Sequence, residues 1–532
     1  MLNLLKKLVF VLCISFALSG CTSVNEKEPV HSDDTQLFTD AIVIELSDEI
    51  IKVDQKEIST DESSAVYLAH DIVYYEAGKD FTYGEGGAAD AHSKEEADLH
   101  AVVHISKPGT YVLSGKISSG QIAVDLGEDA QDDPQAVVNL ILNGVDITCT
   151  VAPAVIFYQV YECGTVDEES ASAIVDTSKA GANVMIADDT VNTVNGSYVA
   201  RIYKPGSVEL NEDQTEVLDA KKLHKYDAAF YSKQSMNLFG GTEGTGVLKI
   251  NAENEGLDSE LHLTINGGNI YIDSGNDGIN TNEDNISVTT MNGGLLNITV
   301  NGSTGEGDGI DSNGWLVIND GTVVASACGF SADAGIDSDK GIIINGGIVV
   351  AYGNMLDTIA ESQQNYAVFS FSSSQQGSQV YLLKDSSDKS ILECTPVNDF
   401  SIMIVSSDKL TNGTYTLWQD GVQLSGSKGQ MMGNFEIGMM QKPDDMEFSE
   451  REWLEDESTN RMENLEGMKR PGNHEFSEGE FPNTEMPERN FSQNMGRPQP
   501  GHNPPGGMNL QLSTEFVIDD IVNYFINVQP AS

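Results

Sequence analysis

Residues 307–325 read GDGIDSNGWLVINDGTVVA, and residues 333–351 answer with DAGIDSDKGIIINGGIVVA. Looser versions stand at 255–272 (EGLDSELHLTINGGNIYI) and 277–300 (DGINTNEDNISVTTMNGGLLNITV). Each phrase holds a glycine, an aliphatic residue and an Asp or Asn, then a short apolar run, then an asparagine turn. The motif centres on Gly256, Gly278, Gly309 and Gly335, and the turns fall at Asn266, Asn292, Asn319 and Asn345. From Asp258, Asp311 and Asp337 to the following turn the distance is the same. Only the repeat that starts at Asn280 carries a short insertion.

A strand of fixed length joined by loops of variable length is the trace that stacked coils leave in a sequence. A repeat of this size cannot cover its own apolar face, so its neighbours must. Alternation places Leu316, Ile318, Ile342 and Ile344 inward. Glycines allow positive φ at the corners, and asparagines at equivalent turns can hydrogen-bond from coil to coil. The expected fold is all-β, a right-handed parallel β-helix, with an irregular β-rich N-terminal part. Strand-like runs at 110–117, 121–126, 137–148, 154–162 and 183–196 belong to that part. Residues 163–182 and 197–226 look like excursions, and 360–428 holds further strand-like runs. A β-propeller would need longer repeats with hairpin signals.

Aligning the repeats on their glycines gives two columns. One holds Glu255, Asp277, Asp308 and Ala334, with Asp333 next to the last; the other holds Asp258, Asn280, Asp311 and Asp337. Stacking would bring side-chain oxygens about 5 Å apart, where two bare carboxylates repel by roughly 3–4 kcal/mol at an effective dielectric near 20. Calcium relieves such a column, because it takes six to eight oxygen ligands. No His or Cys cluster argues for a transition metal. The candidate calcium ligands are Asp258, Asp277, Asp308, Asp311, Asp333, Asp337 and Asn280. Ordinary turn chemistry, in which Asp and Asn cap their own backbone, is the alternative.

The chain has 532 residues and a formal charge of −53. Such a balance excludes nucleic-acid binding through a basic face. Residues 1–20 have the layout of a leader: Lys6 and Lys7, an apolar run, then Leu18-Ser19-Gly20-Cys21. The last four resemble a bacterial lipobox, which implies cleavage before Cys21 and a lipid on its sulfur. The bacterial membrane then becomes a partner, and the expected location is the extracellular face of the cell membrane. Residues 21–37 suit a flexible tether. Cys149, Cys163, Cys328 and Cys394 fit no zinc spacing; a Cys149–Cys163 pair and buried free thiols both remain open. His100 and His104 are too far apart along one strand to share an ion, and with His92 they read as ordinary side chains.

The phrases AVVNLILNGVDIT, NVMIADDTVNTVNG and AAFYSKQSMNLFGGTEGTGVLKINAENEGLDS, with the repeated DGI and NGG motifs, resemble the bacterial carbohydrate-binding parallel β-helix family. That family is related in shape to calcium-dependent pectate lyases. The resemblance spans about residues 65–428 and the last strand, and implies bound calcium and the binding of cellulose and acidic pectic sugars. The resulting layout is a lipoprotein signal peptide (1–20), a tether (21–37) and a carbohydrate-binding β-helix (38–428). A disordered Met/Pro/Gly/Glu-rich insertion (429–509) and a terminal strand (510–532) follow.

The expected function is that of a cell-surface lipoprotein binding polysaccharide, with Trp315, Tyr271 and Tyr352 as sugar platforms, and Tyr231 a further aromatic. No catalytic residue is expected on this reading. A calcium-dependent polysaccharide lyase is the alternative, and it would need a base beside the metal, for which Lys340 is the candidate. A non-catalytic envelope adhesin or spacer is the third reading.

Overall fold

The computed structural model describes residues 40–360, 362–429 and 512–531. Cys21, the leader, the tether and nearly all of the 429–509 insertion lie outside them. No helix among the described residues is long and apolar enough to cross a membrane.

The described chain is built of strands, with one short helix, Lys94–Ala97, started by a reciprocal Ser93–Glu96 capping box, and a 3-10 turn at Glu128–Asp132. Most strands lie in three parallel ladders. The first climbs through Ala182–Ile186, Met236–Gly240, Leu263–Ile265, Val288–Met291, Trp315–Ile318 and Gly341–Ile344. The second takes Val191–Gly196, Val247–Ala252, Asn269–Ser274, Leu295–Val300, Thr322–Ser326 and Ile348–Gly353. The long strand Val138–Thr148 serves the lower end of both. The third runs through Ala101–Ile105, Gly120–Asp125, Val155–Gln159, Ala228–Ser232, Glu255–Ser259, Ile279–Thr281 and Ile310–Ser312.

In-register stacking explains the core. Ile122, Val155, Phe230, Leu257, Ile279 and Ile310 follow one another in the third ladder, all buried. Leu316, Ile318, Ile342 and Ile344 are buried in the first, as their alternation requires. Each such side chain contributes about 1.5–3 kcal/mol by leaving water.

Two kinds of glycine make the close stacking possible. Gly268, Gly294, Gly321 and Gly347 close the asparagine turns with φ of +96°, +84°, +93° and +78°. The motif glycines are needed for space instead: a Cβ on Gly256, Gly278 or Gly309 would stand 2.5, 2.6 or 2.3 Å from the carbonyl oxygen of the next motif glycine. The asparagines form the expected ladder. Asn292 Nδ2 donates to Asn266 Oδ1 (2.9 Å), Asn319 to Asn292 (2.9 Å) and Asn345 to Asn319 (2.8 Å).

The stack differs from the sequence reading at both ends. Ordered parallel pairing begins far ahead of the visible repeat, with Ile42–Leu46 already parallel to Gly109–Ile117. Loops of unequal length hide the period there: 163–181 carries no strand, and Val199–Tyr226 folds into two small hairpins. At the far end the parallel rungs stop at Ile348–Gly353, which pairs antiparallel with Phe400–Ser406. Residues 366–429 and 516–530 form mainly antiparallel strands around a second core that includes Phe369, Phe400, Phe516 and Phe525. The terminal strand expected within 510–532 is present as two strands, Phe516–Ile518 and Val522–Pro530.

Candidate metal centres on the third ladder

The acidic columns sit where each coil enters the third ladder. Asp258 lies opposite Asn280, and Asn280 opposite Asp311. The backbone keeps the first column in line: Gly256 N–H donates to the Asp277 carbonyl, Gly278 N–H to that of Asp308 and Gly309 N–H to that of Ala334, each at 3.0 Å.

Two groups of three carboxylates result. In one, Asp227, Glu255 and Asp258 bring oxygens within 4.8 Å of one another, all three residues being buried. In the other, Asp308, Asp311 and Asp337 do the same, with Asp308 buried and its companions half-buried. Asp277 and Asn280 occupy the coil between them. Asn280 Nδ2 donates to Glu255 Oε1 (3.2 Å), while Glu255 Oε2 and Asn280 Oδ1 are buried with no hydrogen-bond partner among the described residues. A buried carboxylate oxygen without a donor is costly. Here two lone-pair-bearing oxygens from adjacent coils are left in that state beside two further carboxylates.

The electrostatics agree with the crowding. Burial pushes the carboxyls of Glu255, Asp258, Asp277 and Asp308 well above the usual carboxylate range, and neighbouring acids push further in the same direction. For Glu255 these are Asp227 and Asp258; for Asp308 they are Asp277, Asp311 and Asp337. The donor set is entirely oxygen, which suits a hard cation.

Part of the column does turn chemistry instead. Asp277 Oδ1 accepts from Asp308 N–H and Asp308 Oδ1 from Ala334 N–H, both at 2.6 Å. Asp333 is absorbed by its own turn, where Oδ2 accepts from Gly307 N–H (2.7 Å) and from the Ser331 hydroxyl. The geometry thus brings Asp258, Asp308, Asp311 and Asp337 into triads, leaves Asp277 and Asn280 as bridges, and places Asp333 outside both groups.

Asp227 is a member that the repeat alignment passes over. Its coil reads Asp-Ala-Ala-Phe, and Ala228 lies opposite Glu255. The same order, an acid one residue ahead of an alanine in the column, recurs at Asp333-Ala334 and was the available signal. Asp357, also missed, stands beside Asp337 and accepts from Ser338 N–H (3.0 Å); burial raises its pKa.

The aromatic candidates divide. Tyr271 is 39 % exposed on the second ladder, and Trp315 is half-buried on the first, opposite Gly341. Tyr352 is a correction: at 1 % exposure it packs edge-on to Phe400 (5.1 Å) in the second core. The antiparallel strands cover what would otherwise be an outward face. Tyr231 is buried as well, its hydroxyl donating to Glu260 and its ring against Tyr226.

Lys340 is exposed, and its backbone N–H donates to the Gly314 carbonyl (2.8 Å). The lysine drawn to an acidic triad is Lys225, 2.7 Å from Asp227, while Lys222 lies 3.3 Å from Glu260. All four described cysteines are free, so Cys149 and Cys163 do not pair, and burial raises the Cys149 thiol to about 12. His100 is buried, with Nδ1 against the Glu96 carbonyl (2.9 Å), and His104 faces Asp71 (2.8 Å).

The sequence profile of the carbohydrate-binding domain-containing protein family matches residues 100–387, more than half of the chain, and the chain belongs to that family. A carbohydrate-binding domain-containing protein of Acetivibrio thermocellus is 28% identical over 171 residues, which is 32% of this chain and 44% of that relative. The match therefore spans less than half of the relative's length. Among solved structures, a polysaccharide lyase-like protein from C. thermocellum, studied as a gadolinium derivative, aligns with 57% of this chain and 90% of its own at 18% identity and a TM-score of 0.30.

Proposed function

We propose that this chain is a polysaccharide-binding protein of the bacterial cell surface, built as a right-handed parallel β-helix and charged with calcium at its two acidic triads. Asp227, Glu255 and Asp258 would hold one ion, aided by Asn280 Oδ1; Asp308, Asp311 and Asp337 would hold the other. The ion at Asp308, Asp311 and Asp337, where two of the three ligands are half-buried, would supply positive charge that sugar carboxylates can meet, while the ion at the buried triad would serve the fold. The former thereby offsets the long-range repulsion between a chain of charge −53 and a polyanionic glycan. Acidic pectic glycans are the ligands this chemistry favours. Cellulose-like neutral chains would instead use the exposed ring of Tyr271 and the half-buried ring of Trp315. Attachment through a lipid on Cys21 would keep the binding face at the membrane's outer surface.

The observation that carries the reading is the pair of buried oxygens without donors, Glu255 Oε2 and Asn280 Oδ1, inside an all-oxygen cluster. Turn chemistry alone leaves them unexplained. The test is binding of polygalacturonate and of cellulose in calcium and in excess chelator. Chelation should abolish binding of the acidic polymer and only weaken that of cellulose. Undiminished polygalacturonate binding in chelator would remove the metal from the proposal.

A further inference from the structure

Away from the triads, the loop 72–83 and the hairpins of 199–226 enclose an open cleft of about 810 Å³. Both walls lie off the regular ladders, and the loop lies outside the residues that the family profile matches. The cleft is held open by backbone contacts. Glu85 N–H donates to the Arg201 carbonyl (2.9 Å) and Tyr203 N–H to that of Tyr83 (2.8 Å). A Cβ on Gly84 would stand 2.1 Å from the Arg201 carbonyl oxygen, so the two walls meet as closely as backbone allows. The Tyr75 ring braces Tyr83 edge-on at 5.1 Å, and its hydroxyl donates to the Gly86 carbonyl (2.9 Å).

Three half-buried tyrosines, Tyr74, Tyr83 and Tyr203, line this space with His224. Nδ1 of His224 is engaged by the Tyr226 hydroxyl (2.7 Å). The charged groups of the rim are already matched: Lys79 pairs with Glu76 (2.8 Å) and sits 5.1 Å over the Tyr83 ring, and Asp80 accepts from Thr82 N–H (3.0 Å) and Oγ1 (2.6 Å).

We infer that this cleft is a second, metal-independent saccharide site that takes a short stretch of a neutral glycan. Its volume falls in the ordinary range for ligand pockets, about 300–1,000 Å³. Aromatic faces edged by hydroxyls suit a pyranose, which offers C–H faces to rings and hydroxyls to polar edges. Among the described lining residues Lys79 is already paired with Glu76, so an anionic sugar gains little there and meets the repulsion of the whole chain. The site is independent of the calcium reading, because none of its lining residues belongs to a triad.

The test is calorimetry on the full chain in excess chelator, which silences the proposed calcium sites, with cellopentaose, xylopentaose and mannopentaose as probes. At least one should bind. Tyr203→Ala and Tyr74→Ala should each weaken it about tenfold, the scale of one aromatic contact with its buried area. Tyr203→Phe should bind better than Tyr203→Ala, and Ile174→Ala, an exposed side chain that belongs to neither the cleft nor a triad, should bind as the parent does. Thermal melts of each variant establish that it is folded. The inference is overturned if none of the three probes binds, or if both alanine variants bind unchanged. It is also overturned if deacetylated chitopentaose binds and the neutral probes do not, since the cleft would then be an aromatic–carboxylate cage for ammonium.

Discussion

Glu255→Gln separates a metal centre from a plain acidic turn. The side chain keeps its shape, still accepts from Asn280 and loses its charge. With carboxylate oxygens within 4.8 Å of one another, each fully ionised pair of the Asp227–Glu255–Asp258 triad repels by at least about 3.5 kcal/mol at an effective dielectric near 20. The substitution removes two of the three pairs. The triad escapes part of that cost by holding protons, at about 1.4 kcal/mol for each unit by which a pKa is raised. The net gain without metal is therefore about 2–4 kcal/mol. That amounts to a melting temperature higher by roughly 3–6 °C in chelator, allowing for the smaller shifts of large domains. In calcium the order should reverse, because the parent gains a charged ligand that the variant lacks. Differential scanning calorimetry of both proteins, with chelator and with calcium, reads the crossover. If Glu255→Gln melts lower than the parent in chelator, the carboxylate is a net stabiliser through hydrogen bonding. The crowding argument then fails.

Four carboxyls, those of Glu255, Asp258, Asp277 and Asp308, have folded pKa values raised above their ordinary 4.5 or 3.8, so the folded chain holds protons that the unfolded chain releases. Their contribution is present below the unfolded values and is lost as pH rises through the folded ones, so melting in chelator should fall as pH rises above the ordinary carboxylate range and stay flatter in calcium. Asp311→Asn should remove one class of calcium sites in a calorimetric titration and leave the class formed by Asp227, Glu255 and Asp258; loss of both classes would mean a single shared site. Asn319→Ala breaks two asparagine-ladder bonds and should cost about 1–2 kcal/mol in denaturant unfolding, with Asn345→Ala, which breaks one, costing about half as much. Tyr352→Ala should cost about 3–5 kcal/mol of stability, while Tyr271→Ala should leave stability within about 0.5 kcal/mol and weaken cellulose binding.

The ladder geometry was legible wherever coils have nearly constant length. Between Gly256 and Asn345 the motif glycines, the inward aliphatics and the asparagine turns all fall where spacing puts them, because each is set by a residue's immediate neighbours along the strand. The same local rule aligned Asp258 with Asn280 and Asp311. It could not show that parallel pairing already runs through Ala101–Ile105, since excursions such as 197–226 shift the numbering without shifting the coil.

By itself, then, the sequence determined the strand stretches, the residues that must face inward and the columns in which acids would stack, all consequences of side-chain alternation and turn chemistry. Only the tertiary structure decided which acids meet. Asp227 arrives from a hairpin and joins a triad, while Asp333 turns back to cap Gly307. It also decided that Tyr352 is core and that the loop 72–83 faces the 199–226 hairpins across a cleft. The reason is that contact between segments remote in sequence depends on what comes to cover each outward face, and no local pattern records that.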